Sequence, residues 1–179
     1  VPQIDECAGA HGVTAADGPN ARGPLWRDRA TGVRAMRSLL PLADVVKVSD
    51  EELEMLTDCA EIPAGAAALF ARGVQAVVVT RGAKGCVVCT PSCVRALSTY
   101  DTQVVDTTGS GDSFFGAFLT KLIEAGQPVS ALSVETLCAA ADFANAAGSV
   151  CATKKGAIPA LPDRAAIEAC MRSVPKLEI

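Results

Sequence analysis

Short apolar runs alternate with longer amphipathic or alanine-rich segments along most of the chain. The runs at 44–48 and 75–80 have the length and valine content of strands that are buried on both faces. The segments around them follow a helical period, and they predict helices at 28–40, 50–56, 63–72, 112–125, 134–150 and 163–173. This alternation predicts a single α/β domain over residues 1–179, with a mostly parallel sheet.

The middle of the chain predicts a β-meander that leads into a polar turn. Three short strands are expected at 86–89, 94–97 and 103–105, and a glycine-containing turn follows at 106–112. The helix after this turn carries a stripe of apolar side chains that indicates core packing: Phe115, Phe118, Leu119 and Leu122.

The turn at 106–112 has the properties of an anion site. Backbone N–H groups at a helix N-terminus lack intrahelical partners and favour an anion, and Gly109 and Gly111 let the backbone approach it closely. Asp112 lies where the helix begins. A carboxylate repels a bound anion, but it can take a proton from a nucleophile that attacks phosphorus. The alternative is that Asp112 simply caps the helix.

The ordered stretch Asp106-Thr-Thr-Gly-Ser-Gly-Asp112 resembles the second signature of the PfkB/ribokinase family of carbohydrate kinases, and especially its fructokinase-like members. The family usually has Ala where this chain has Ser110. The resemblance implies a ribokinase-like three-layer α/β/α fold and phosphoryl transfer from ATP with Mg²⁺ to the hydroxyl of fructose or a related sugar. Asp112 would be the general base, and Gly109, Ser110 and Gly111 would form the anion hole with it.

The same resemblance implies a nucleotide site and a magnesium site. Thr80, Gly82 and Gly85 match the nucleotide-binding turn, although two glycines around a basic loop also fit an ordinary hairpin. Asn145 matches a position near the adenine ring, and it could equally be a satisfied amide. The Asn-x-x-Glu segment of the family has Ser49 and Glu52 here, which implies that Glu52 holds Mg²⁺ through water. Ser49 and Glu52 also form a capping box, and the two roles can coexist.

The family's closing loop binds a monovalent cation, which makes K⁺ a further candidate cofactor. The positions that match its ligands are Asp106, Thr108, Cys151, Lys154 and Gly156. Ala160 stands where the family often has Ser, and so lacks that oxygen. A second loop resembles the family's Asp-Pro-Asn-x-Arg-x-x-Leu-Trp segment, but has Gly18 at the Asp position and Asp17 one place earlier. Its matching residues are Pro19, Asn20, Arg22, Leu25 and Trp26.

The resemblance covers only the C-terminal portion of the family, without its N-terminal strands, sugar-binding glycines and β-lid. The alternative function is therefore a truncated nucleotide-binding module that is catalytically inactive. A truncated sheet also exposes an edge, which predicts self-association or a homodimer.

Composition narrows these alternatives. The net charge of −4 gives no case for nucleic acid or an anionic membrane, and no apolar run reaches the roughly 20 residues that span a bilayer. The eight cysteines lie mostly among Ala and Val, which indicates reduced thiols and a cytoplasmic location. The spacing Cys86-x-x-Cys89-x-x-x-Cys93 raises a metal or redox site as a third hypothesis, but tetrahedral zinc needs a fourth ligand.

Overall fold

The computed structural model describes residues 14–19 and 28–178 of the chain. In these ranges the strands are β1 (Ala16–Asp17), β2 (Val45–Ser49), β3 (Ala76–Thr80), β4 (Cys86–Thr90) and β5 (Cys93–Leu97). The α-helices are α1 (Arg29–Leu39), α2 (Asp50–Thr57), α3 (Ile62–Phe70), α4 (Ser110–Ala125), α5 (Val134–Cys151) and α6 (Arg164–Ser173). Every helix predicted above is present within a few residues. The loop residues Asn20, Arg22, Leu25 and Trp26 lie outside the described residues.

The five strands form one mixed sheet in the order β1-β2-β3-β4-β5. β1 and β2 are parallel, with Ala16 opposite Val45 and Asp17 opposite Val46. β3, β4 and β5 follow one another through short turns, and such connections join antiparallel neighbours. The predicted α/β class is confirmed, with the parallel pairing at the β1 side and a meander at the β5 side.

The chain divides into two compact units, and the first contains the valine-rich strands. It comprises the described part of 1–79 with Cys89–Val94 and Pro128–Leu132. Its interior is formed by fully buried side chains of β2, β3, α2 and α3, including Val46, Val78, Leu53 and Leu69. Asp28 caps α1 by accepting the N–H of Thr31, and Ser49 caps α2. Because strands and helices bury apolar faces here, the sequence pattern predicts this unit well.

The second unit contains α4, α5 and α6, and it comprises Thr80–Val88, Arg95–Gln127 and Ser133–Ile179. α4 buries Phe114, Phe118 and Leu122, while Phe115 and Leu119 are only half-buried. The apolar stripe therefore lies about a quarter turn from the predicted one. A Cβ at Gly148 of α5 would lie 3.2 Å from the Ser110 carbonyl oxygen, so a glycine there lets α5 pass close to the start of α4.

The predicted strand at 103–105 is wrong, because no strand forms between β5 and α4. Val104 and Val105 are 61% and 53% exposed. The N–H groups of Val105 and Asp106 both donate to the carbonyl of Ala152, at 2.8 and 3.1 Å. β-Branched residues favour an extended backbone, but the hydrogen bonds of this segment go to the residue after α5 instead of to a strand.

Candidate active site

The turn at 106–112 folds so that several backbone donors at the start of α4 remain unpaired. Gly109 is the N-cap residue with φ +82°, a left-handed conformation that glycine adopts readily. The Ser110 N–H donates to the Thr107 carbonyl at 3.1 Å. The N–H groups of Gly109, Gly111 and Asp112 have no hydrogen-bond partner among the described residues. Three donors at a helix N-terminus can hold a phosphate-sized anion.

Asp112 is the third residue of α4 and is exposed. Its carboxylate makes no hydrogen bond or ion pair with the residues that the structure describes, and it does not cap the helix, since Gly109 holds that position. Both carboxylate oxygens are therefore available to accept a proton from a bound hydroxyl group.

Asp106 connects the turn to the loop after α5. Its Oδ1 accepts the N–H of Thr108 at 2.9 Å and the Thr108 hydroxyl at 2.7 Å, and its Oδ2 accepts the N–H of Gly156 at 3.0 Å. The Gly156 hydrogen bond, followed by those from Thr108, lowers the pKa of Asp106 to about 2. The Cys151 thiol lies 3.9 Å from the Thr108 carbonyl oxygen, and the Lys154 N–H donates to the Cys151 carbonyl. The structure thus brings the five predicted cation-site residues together.

A cavity of about 500 Å³ adjoins the turn, entirely within the second unit. This volume is typical of small-molecule sites. Six residues that the sequence predicts for the nucleotide or the anion hole line this one cavity: Thr80, Gly82, Gly85, Ser110, Gly111 and Asn145. The cavity therefore joins an apolar pocket to the polar turn, as a nucleotide requires.

Asn145 is 4% exposed, and its amide hydrogens are used inside the protein. Its Nδ2 donates to the Ser98 carbonyl at 3.2 Å and to the Cys86 thiol at 3.4 Å. Burial raises the pKa of Cys86 to about 12, so this partner is a neutral thiol. The contact of Asn145 with adenine stays a prediction, and it would use the Oδ1 acceptor.

Gly85 marks a place where only glycine fits. Its φ is +73°, and a Cβ there would lie 2.0 Å from the Leu97 carbonyl oxygen. Gly82 also has a positive φ of 56°, but the space around it is open. The turn between β3 and β4 therefore depends on its second glycine for close packing and on its first for backbone conformation only.

The predicted magnesium residues belong to the first unit. Ser49 and Glu52 form the predicted capping box: the Ser49 N–H donates to Glu52 Oε2 at 2.8 Å, and the Glu52 N–H donates to Ser49 Oγ at 3.1 Å. Burial, and next the charge of Glu52, raises the pKa of Asp17. Asp17 Oδ2 is buried without a hydrogen-bond partner in the described part of the chain. Two neighbouring carboxylates with an unsatisfied oxygen suit a divalent cation.

Sequence reasoning missed two groups of residues at the candidate site. Asp17 stands one place before the position of the family's Asp, and the sequence did not predict that it lies near enough to Glu52 for that charge to raise its pKa. Thr99, Tyr100, Thr102 and Leu177 line the cavity, and no local pattern distinguishes them from other loop residues.

The cysteines form no metal cluster in the described ranges, where no group of three or more His, Cys, Asp or Glu side chains could hold an ion. The seven cysteines of these ranges form no disulfide, and burial raises the pKa of Cys89 to about 11. None of the helices that the structure describes is long and apolar enough to cross a membrane.

Comparison with known proteins gives consistent matches. Residues 2–164 match the pfkB family of carbohydrate kinases. The probable fructokinase-5 of Arabidopsis thaliana is 41% identical over 167 residues, which cover 92% of this chain and 51% of the relative. The chain spans about half the length of the first curated relatives that it matches.

Solved structures agree with the sequence matches. A fructokinase double mutant from Vibrio cholerae O395, bound to fructose, ADP and a potassium ion, is 34% identical with a TM-score of 0.85. The match covers 94% of this chain and 53% of that one. A fructokinase from Xylella fastidiosa with bound ATP is 27% identical, with a TM-score of 0.86 over 96% of this chain and 55% of that one. The fold, the signature turn and these matches together show that the chain belongs to the pfkB family of carbohydrate kinases.

Proposed function

We propose that this chain carries the nucleotide-binding and catalytic portion of an ATP-dependent sugar kinase that acts on fructose or a related sugar. The observation that carries the proposal is the turn at 109–112, where three N–H groups have no partner among the described residues. Ser110 and Gly111 of this turn line the cavity of about 500 Å³, and the exposed Asp112 lines a second cavity of about 310 Å³. The related fructokinases bound to ATP, or to fructose and ADP, support the choice of substrates.

The N–H groups of Gly109, Gly111 and Asp112 would hold the γ-phosphoryl group and stabilise the charge on its oxygens during transfer. Ser110 also lines the cavity, but its side-chain oxygen is buried, so the backbone donors carry this role. These dipoles are fixed by the fold before the substrate binds, and no reorganisation is needed at the moment of reaction.

Asp112 would accept the proton of the sugar hydroxyl while the hydroxyl oxygen attacks the γ-phosphorus. The bond from that phosphorus to the bridging oxygen breaks, and ADP leaves with the bonding electron pair. General-base catalysis of this kind contributes about 10²–10⁴-fold to the rate.

The chain has oxygen-bearing residues that could bind Mg²⁺ and K⁺. Asp17 and Glu52 would hold Mg²⁺, because a buried unsatisfied carboxylate oxygen lies beside a second carboxylate. The loop that joins Asp106, Thr108 and Gly156 would hold K⁺ through oxygen atoms. Mg²⁺, when bound, neutralises phosphate charge.

The test is a titration of the 179-residue chain with ATP and Mg²⁺, followed by a coupled ADP assay with fructose. Binding together with turnover supports the kinase. Binding without turnover identifies the second candidate, an inactive nucleotide-binding module. A chain that binds no ATP contradicts both.

Two further proposals concern the cellular compartment and the self-association of the chain. The seven cysteines of the described ranges form no disulfide, which suits a reducing compartment, and we propose the cytoplasm. The edge strand β5 is largely exposed, including Val94, and an exposed sheet edge favours self-association. Light scattering tests this proposal, and a monodisperse monomer would contradict it.

A further inference from the structure

The segment at 174–178, which we call the tail, folds back along residues 99–101 of the second unit. Its Pro175 carbonyl accepts the N–H of Asp101 at 2.8 Å, and its Leu177 N–H donates to the Thr99 carbonyl at 2.9 Å. Tyr100 and Lys176 form an antiparallel bridge. The tail is therefore a short extra strand beside residues that line the cavity.

Asp142 of α5 fixes this pairing with its side chain. It accepts the Tyr100 hydroxyl at 3.2 Å and forms an ion pair with Lys176 at 2.8 Å. Lys176 Nζ also lies 5.4 Å from the centre of the Tyr100 ring. The Asp142 side chain is 23% exposed, so its ion pair is less screened than one on an open surface.

Residues 99–102 are also held by Ser149 of α5. The Thr99 and Ser149 hydroxyls lie 2.8 Å apart, and the Thr102 hydroxyl donates to the Ser149 carbonyl at 3.2 Å. Residues 99–102 and the tail are thus both bound to α5, through Ser149 and Asp142. Of the tail residues, Leu177 lines the cavity.

We propose that the tail is a latch that completes the nucleotide pocket: Leu177 contacts the base, and Asp142 and Lys176 are positioning residues that hold Leu177 in place beside Tyr100. The inference rests on the proposed function. The polar turn at 109–112 provides the donors for phosphate, so an apolar leucine in the same cavity suits the flat, poorly solvated face of a purine. Asp142 and Lys176 do not line the cavity, so their ion pair acts on ATP only through Leu177.

Leu177→Ala separates base contacts from phosphate contacts. By calorimetry, ATP should bind to this variant about 5-fold more weakly than to the wild type, because apolar contact area is lost. Tripolyphosphate, which has no base, should bind equally to both. The matched control is Leu39→Ala, a partly exposed leucine of the first unit, which should leave ATP binding unchanged.

A coupling experiment tests the latch itself. Lys176→Met should weaken ATP binding about 2- to 3-fold in the wild-type background and have no further effect in Leu177→Ala, because coupled residues are non-additive. Lys121→Met is the matched control: Lys121 forms an ion pair with Glu124 at 2.7 Å and lies 5.4 Å from the Phe143 ring centre, away from the cavity lining.

The outcomes separate the two proposals. A wild-type chain that binds neither ATP nor tripolyphosphate overturns the proposed function and the latch with it. The latch is overturned, and the proposed function stands, if the wild type binds ATP and Leu177→Ala binds it equally well. The same conclusion holds if Leu177→Ala loses as much affinity for tripolyphosphate as it loses for ATP. Additive effects of Lys176→Met and Leu177→Ala would also overturn the latch.

Discussion

The two ends of the turn at 106–112 carry the same side chain in opposite environments. Asp106 uses both carboxylate oxygens in three hydrogen bonds to Thr108 and Gly156, whereas Asp112 makes none with the described residues. The first carboxylate fixes the shape of the turn against the loop after α5. The second is left free at the helix start, where a reacting hydroxyl could meet it. The comparison shows that the turn ties one carboxylate into the fold and leaves the other without a partner among the described residues.

Asp112→Asn should have the largest effect of any change in the turn. The amide cannot take up a proton, so fructose-dependent ADP formation should fall about 10²–10⁴-fold, while ATP binding by calorimetry changes little. The thermal midpoint should also stay close to that of the wild type, because the carboxylate has no partner to lose. A fall in turnover of less than about tenfold would assign Asp112 a lesser role.

Gly109→Ala should damage the fold of the turn. The position has φ +82°, and a Cβ there would lie 2.9 Å from Ala157 Cα. We expect a loss of about 1–3 kcal/mol in the free energy of unfolding, measured by denaturant titration. Gly116→Ala is the control, since nothing lies within 4 Å of its Cβ and it is helical; it should gain about 0.5–1 kcal/mol. Equal changes in the free energy of unfolding in the two variants would mean that position 109 accepts a side chain without strain.

Asp106→Asn should change how stability depends on pH. The folded pKa of Asp106 is lowered to about 2 from an ordinary value of 3.8. The ionised carboxylate therefore stabilises the fold above about pH 4, and that contribution is lost as the pH falls towards 2. The free energy of unfolding, measured by denaturant titration across this pH window, should depend less on pH in Asp106→Asn than in the wild type. Parallel curves for wild type and Asp106→Asn would contradict the structural role of Asp106.

Thr108→Val should have the smallest effect. It removes the hydroxyl that donates to Asp106 at 2.7 Å but keeps the backbone donor of Thr108. We expect a loss of about 1 kcal/mol in the free energy of unfolding and a rise of the Asp106 pKa, followed by NMR titration. Thr120→Val, which removes a hydroxyl bonded to the Gly116 carbonyl within α4, is the control that should leave the Asp106 pKa unchanged. An unchanged Asp106 pKa in Thr108→Val would contradict the assignment.

The sequence predicted the helices and the buried strands because local rules determine them. Asp28, Ser49 and Asp163 cap helices as expected, and the valine-rich strands β2 and β3 are buried. The prediction of a strand at 103–105 failed, because β-branched residues favour extended backbone without specifying a hydrogen-bond partner. Here the hydrogen-bond acceptor is the Ala152 carbonyl.

Only those residues of the candidate site that belong to a sequence motif could be predicted. Ser110 and Gly111 of the turn line one cavity together with Gly82 and Gly85 of the β3–β4 loop. Leu177 and Tyr100 could not be found in this way, because their place depends on a tail that pairs with a distant strip of chain. The sequence also could not predict that the Ser110 N–H is unavailable to a ligand, because its hydrogen bond to the Thr107 carbonyl forms only in the folded turn.

An amide NMR titration of the chain with ATP and Mg²⁺ tests the central claim most directly. A hydrogen bond to phosphate should move the amide proton signals of Gly109, Gly111 and Asp112 downfield, and the Ser110 signal should move least, because its N–H already donates to Thr107. Saturable downfield shifts confined to these three donors within the turn are the expected result. Saturable binding that leaves all three signals in place would show that the turn is not the phosphate site.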